Sequence, residues 1–213
     1  SFRGLKPQQQ ALDAGVRIID IAADFRIQDV ALWEQWYGVK HACPELVAEA
    51  VYGLPEVNRE RIREARIVAN PGCYPTAVQL GFLPLVEAGV ADLDHLIADA
   101  KSGVSGAGRT LKQNMLFSEA GEGISPYGIG NHRHVPEIEQ ELSAAARAAV
   151  TVNFTPHLVP MSRGELCTCY VKLAGKATAG NLRQALAKTY AASPFVHVVE
   201  EGVIPATQHV RGS

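Results

Sequence analysis

The stretch that most constrains the fold lies between Arg66 and Gly89. Arg66-Ile67-Val68-Ala69 reads as a short strand that delivers the chain directly into Asn70-Pro71-Gly72-Cys73. From Pro75 the pattern turns helical: Ala77, Val78, Leu80, Leu83, Leu85 and Val86 crowd one broad face until Gly89 stops it. Pro75 suits the first turn of that helix, where its missing N–H would have no partner. Pro71 and Gly72 predict a tight turn that aims Cys73 outward, at the end of a strand and the start of a helix.

The same alternation continues along the chain. A helical segment closes at Leu12–Gly15, and Val16-Arg17-Ile18-Ile19-Asp20-Ile21-Ala22 reads as a buried strand. Pro44 to Ala50 is a short helix candidate. His95 to Ala100 reads as a strand ending in the glycine-rich turn Lys101 to Arg109, and Gly121 to Gly130 as a loop. Helices are expected over Pro136–Ala149 and Ala179–Ala191, and strands over Val150–Phe154, Glu165–Leu173 and Val196–Val199. Strands separated by helices point to an α/β or α+β enzyme domain with a mixed sheet. No strand and no GxGxxG fingerprint precede Val16, so the chain is expected to begin within an incomplete dinucleotide-binding half.

With 213 residues, 47% of them hydrophobic, the chain can bury one large domain or a domain plus part of another. A formal charge of −2 and no run of Lys or Arg argue against a nucleic-acid partner. The longest apolar stretches fall far short of the roughly 20 residues that span a bilayer. No charged start followed by an apolar block marks a secretory signal, so a cytoplasmic location is expected. The four cysteines, at 43, 73, 167 and 169, lack the paired spacing of a zinc site and the density of a disulfide scaffold, and no metal is expected. Cys167 and Cys169 alternate along one strand and should face the same side of a sheet, buried as small apolar groups. Cys43 carries no assigned role.

Three groups of residues carry chemistry. A thiol with an ordinary pKa of about 8.5 needs a helix N-terminus or a cationic neighbour to favour the thiolate, and Cys73 is placed at such an N-terminus. The alternative is a buried structural cysteine at a turn. In Gly130-Asn131-His132-Arg133-His134-Val135-Pro136-Glu137, two imidazoles bracket a guanidinium, a combination able to move protons and bind an anion. The plainer reading is a loop whose histidines cap the following helix. The turn Ser102-Gly103-Val104-Ser105-Gly106-Ala107-Gly108-Arg109 has small flexible positions whose amides could approach an anion; the plainer reading is a turn that joins a strand to a helix. Arg109 could hold a carboxylate or phosphate, or form an ordinary surface ion pair.

These residues resemble a known family, the N-acetyl-γ-glutamyl-phosphate reductases of arginine biosynthesis. The matching pieces are Asp20-Ile21-Ala22-Ala23-Asp24-Phe25-Arg26, Tyr52-Gly53-Leu54-Pro55-Glu56, Asn70 to Thr76, Lys101 to Gly108, His132 to Ile138 and Thr155-Pro156-His157-Leu158-Val159-Pro160, in family order. The resemblance implies part of a Rossmann-like dinucleotide domain at 1–72, a catalytic and oligomerising domain with a mixed sheet at 73–204, like that of glyceraldehyde-phosphate dehydrogenase, and the start of a return to the cofactor domain at 205–213.

By the same resemblance Cys73 attacks an acyl phosphate, phosphate leaves, and hydride from NADPH converts the thioester to N-acetylglutamate 5-semialdehyde. His132 or His134 would serve as acid or base. Ser102, Gly103, Ser105 and Gly106 would approach NADP(H), and Asn70, Arg109 and Arg133 the substrate. A homodimer or homotetramer is implied. Two other readings stand beside it: a related aminoadipate-semialdehyde reductase acting on a carrier-linked acyl phosphate, and a catalytically silent oligomerising fragment.

Overall fold

The computed structural model describes residues 6–108 and 110–210, in two compact units, Ser1–Gly72 and Cys73–Ser213. In the first unit α1 (Lys6–Asp13) leads into β1 (Ile18–Asp20), followed by α2 (Val30–Tyr37), α3 (Pro44–Val47), β2 (Val51–Tyr52), α4 (Pro55–Glu64) and β3 (Ile67–Ala69). The three strands form a parallel sheet in the order β1-β3-β2. Leu12, Phe25, Leu46, Val47, Ile67 and Ala69 close its core.

Polar side chains tie the connections. Asp29 caps α2 by accepting from the N–H of Leu32 at 3.0 Å, and Gly38 ends that helix at φ 69°, a left-handed conformation that suits glycine. Arg17 reaches the end of α4 and donates to the carbonyls of Ile62, Arg63 and Ala65 at 2.7–2.9 Å, where the chain leaves the helix and backbone N–H donors run short. The buried Arg26 donates to the carbonyls of Asn70 and Ile21 at 2.7 and 3.1 Å, fixing the backbone where β3 ends.

The second unit contains α5 (Cys73–Glu87), β4 (Ala91–Gly103), a 3₁₀ turn over Val104–Ala107, α6 (Phe117–Ala120), β5 (Ser125–Pro126), α7 (Val135–Ala146), β6 (Val152–Val159), β7 (Glu165–Leu173) and α8 (Ala179–Tyr190). Its sheet has the order β5-β6-β4-β7; β4 runs parallel to β6 and antiparallel to β7, which makes the sheet mixed. The helix α5 packs against α7, α8 and β7. It can approach closely because β4 offers Ala98 and Ala100 on that face, opposite Cys169 and Cys167 of β7, and because α5 itself carries Gly81 there.

Two expectations fail. The strand expected over Val16 to Ala22 forms only over Ile18–Asp20; among the described residues it is an edge strand, and Val16, Ile19 and Ile21 are exposed. Val196–Val199 is not a strand, since the carbonyl of Val199 accepts from Arg183 of α8 at 2.6 Å instead of joining a sheet. Among the described residues no helix is long and apolar enough to cross a membrane.

Candidate active site

Cys73 opens α5, and Tyr74 behind it is buried. The end of β4 brings Ser102 to the same place, and the sheet register sets Glu165, the first residue of β7, directly opposite Ser102. Period-two alternation then puts Glu165, Cys167 and Cys169 on the face that α5 covers. The Sγ of Cys167 donates to Oε1 of Glu165 at 3.6 Å, and the thiol of Cys73 is hydrogen-bonded to the same carboxyl group. Two thiols therefore share one acid.

The electrostatics differ from the sequence expectation. The N–H groups of Cys73 and Tyr74 do favour the thiolate, as a helix start should, but burial of the sulfur and the neighbouring Glu165 carboxylate outweigh them. The residue as a whole is exposed, yet its thiol is pushed up to about 12. Burial also raises the Glu165 carboxyl above its ordinary value, while the two S–H donors pull it back. In the resting site Cys73 is a thiol.

The histidines are held by rings. His132 meets Tyr74, Tyr127, His134 and Phe154 edge-on, with ring centroids 5.7, 5.4, 4.8 and 5.4 Å away. Tyr127 donates its phenol to that of Tyr74 at 3.0 Å, which links the histidine loop to the start of α5. Enclosure in this cage, followed by the charge of Arg133, depresses His132 to about 4. The ring is therefore neutral at pH 7. The backbone N–H of His134 donates to Nδ1 of His132 at 3.2 Å, so Nδ1 is the acceptor and Nε2 carries the ring proton. His134 stands at the entry to α7, but its side chain does not cap the helix. Arg133 is exposed between them.

The glycine-rich turn is built for its own packing. The amides of Gly103, Val104 and Ser105 donate to the carbonyls of Gly164, Met161 and Ser162 at 2.9–3.2 Å. A side chain at Gly103 would lie 2.8 Å from both Arg163 N and Met161 O, so the close approach here is to the 161–164 backbone. Ser102 is buried and donates to the carbonyl of Gly103, whereas Ser105 and Gly106 are exposed. Asn70 is exposed in the first unit, its side-chain amide donating to the carbonyl of Pro71 at 3.1 Å. Arg109 lies outside the described residues. No three His, Cys, Asp or Glu side chains among the described residues gather closely enough to hold a metal ion.

Glu165, Tyr127 and Phe154 were not singled out by the sequence. The signal available for the first of them is its place in the strand expected over Glu165–Leu173, two residues before Cys167 and therefore on the same face.

The fold and site define a class. The chain belongs to the semialdehyde dehydrogenase family: residues 73–213 match the model for the semialdehyde dehydrogenase dimerisation domain, and residues 6–65 that for the semialdehyde dehydrogenase NAD-binding domain. Among curated relatives, the N-acetyl-gamma-glutamyl-phosphate reductase of Nitrosospira multiformis is 61% identical over 98% of this chain and 60% of its own length. That of Aromatoleum aromaticum is 58% identical over 99% of this chain and 61% of its own length. The chain thus spans about three fifths of the length of these relatives. Of solved structures, aspartate semialdehyde dehydrogenase II from Vibrio cholerae superposes with a TM-score of 0.62 at 19% identity, covering 86% of this chain and 56% of that one. Aspartate semialdehyde dehydrogenase with NADP from Candida albicans gives 0.53 at 14% identity, covering 84% and 51%. These two share the fold.

Proposed function

We propose that this chain is the catalytic part of an NADPH-dependent reductase that converts N-acetyl-γ-glutamyl phosphate to N-acetylglutamate 5-semialdehyde and phosphate, a cytoplasmic step of arginine biosynthesis. The observation that carries the reading is an accessible Cys73 at the start of α5, with an enclosed imidazole tied to that helix start through Tyr127 and Tyr74. Relatives more than half identical bear that enzyme's name.

The Sγ of Cys73 attacks the acyl carbon, the carbon–oxygen bond to phosphate breaks, and a thioester forms on the enzyme. The N–H groups at the start of α5 and Nε2–H of His132 are the donors available to the oxyanion that builds up on the acyl oxygen. A neutral imidazole with its proton on Nε2 acts as a donor here. Bound NADPH would supply the hydride for the thioester carbon; release of the aldehyde then requires the carbon–sulfur bond to Cys73 to break, returning the sulfur as thiolate. Arg133, with Arg109 and Asn70, would hold the anionic ends of the substrate.

The first unit fits a dinucleotide at one point. One carboxylate oxygen of Asp20, Oδ2, is buried without a hydrogen-bond partner at the carboxyl end of a parallel strand, the edge where ligands of such sheets bind. A hydroxyl or amide of the cofactor would satisfy it. Of the glycine-rich turn, Ser105 and Gly106 are the exposed positions left to face the cofactor, beside Ser102 and Gly103 behind them. A homodimer or homotetramer would cover the sheet face opposite α5, where Ile97, Leu166 and Tyr170 are exposed.

The test is Cys73→Ser in the full-length protein, assayed for NADPH oxidation with N-acetyl-γ-glutamyl phosphate. Loss of reduction is expected; a rate equal to the parent's overturns the reading. A parallel assay with a carrier-linked aminoadipyl phosphate separates the related reductase.

A further inference from the structure

We infer that Glu165 is the proton acceptor for Cys73: its carboxylate takes the S–H bond in the resting site and receives that proton when the sulfur attacks. The inference rests on Cys73 being the nucleophile and names a residue that this role requires.

The geometry leads there in two steps. The attacking sulfur must lose a proton, and His132 is badly placed to take it. Its Nδ1 already accepts the N–H of His134, and its Nε2 therefore carries a hydrogen. The carboxyl group of Glu165, in contrast, already accepts the thiol of Cys73 and, at 3.6 Å, that of Cys167. Its position is fixed from the backbone, because Glu165 pairs with Ser102 at the first rung of β7 against β4. The titratable groups facing it are Cys73 and Tyr74 from α5, Tyr127 from the loop before α7 and Cys167 from β7; none of these is a cation.

The proton balance closes within the pair. The S–H bond of Cys73 breaks, its electron pair stays on sulfur and forms the bond to the acyl carbon, and the proton moves to a Glu165 oxygen. It remains there while the sulfur is acylated. When the carbon–sulfur bond later breaks and the sulfur leaves as thiolate, the proton returns. Between turnovers the carboxylate keeps Cys73 protonated, which shields an accessible cysteine from alkylation and oxidation.

The test needs no acyl phosphate, so its failure is distinct from failure of the reductase reading. Cys73 in the full-length protein is alkylated with iodoacetamide across pH 6 to 11, and the modified peptide is quantified by mass spectrometry. Glu165→Gln removes a negative neighbour, so the midpoint should fall by about one unit or more, with alkylation at pH 8 about tenfold faster. Glu165→Asp should restore much of the parent profile. Turnover in Glu165→Gln should fall although its thiol ionises more easily, an opposition that a structural role would not produce. An unmoved or rising midpoint, or undiminished turnover, overturns the inference. A second measurement leaves position 165 intact. In protein carrying ¹³C-carboxyl glutamate, Cys73→Ala removes the S–H donor and should raise the Glu165 titration midpoint; an unchanged midpoint overturns the inference equally.

Discussion

The phenol of Tyr190, the last residue of α8, donates to the carbonyl of Leu80 at 2.7 Å. Leu80 is four residues before Pro84, which lies inside α5 and has no N–H to offer that carbonyl. The helix that carries Cys73 thus contains a proline whose missing bond is supplied from another helix. Tyr190→Phe should leave the Leu80 carbonyl unpaired and cost about 1–3 kcal/mol. Denaturant unfolding monitored by circular dichroism measures it, and a loss below about 0.5 kcal/mol would show that water replaces the phenol.

A second prediction concerns the contact between α5 and β7. A methyl added at Gly81 would lie 3.1 Å from Sγ of Cys169, tighter than the sulfur can accept without moving. Alanine in a helix interior gains about 1 kcal/mol over glycine, so Gly81→Ala alone should be close to neutral. In a Cys169→Ala background the crowding disappears, and the same change should stabilise by about 1 kcal/mol relative to that background. A double-mutant cycle reads the difference, and strict additivity would refute the contact.

His132 supplies a third. Substitution by Gln keeps a side-chain N–H donor but loses the ring, and kcat should drop by about 10²-fold, with KM much less affected. Its pKa near 4 means no inflection in the rate profile near pH 6.5 should disappear in the variant. The same depression has a sign in stability. Between about 6.5 and about 4 the unfolded chain binds a proton at this position and the native state does not, so stability falls as pH falls through that window. His132→Gln should flatten that part of the curve. Thermal unfolding midpoints at pH 7 and pH 4.5, in parent and variant, provide the comparison.

Much of the architecture was legible in the chain. The helix α5, the strand β7 and the helix α8 have apolar or alternating patterns long enough to impose their period, and Asn70-Pro71-Gly72 marks the turn before Cys73. The helix α4 was invisible because Glu56 to Glu64 is mostly charged and presents no apolar stripe; its start at Pro55 and its end held by Arg17 carry it instead. The strands β2 and β5, two residues each, exist only as partners of β3 and β6 and have no period of their own.

The site divides along the same line. The order of residues alone placed a cysteine between strand and helix, two histidines flanking an arginine before a helix, and Cys167 and Cys169 on one face of a strand. Those facts depend on local backbone geometry and on periods of 2 and 3.6, which the order of residues encodes directly. The protonation of each group is set by the packed fold. The chain positions of Tyr74, Phe154 and Glu165 say nothing of their meeting around His132 and Cys73. Burial and neighbouring charge fix a pKa, and both are properties of what packs around a group in space. Hence a cysteine at a helix start, which sequence alone would make a ready thiolate, rests in the fold as a thiol beside a carboxylate.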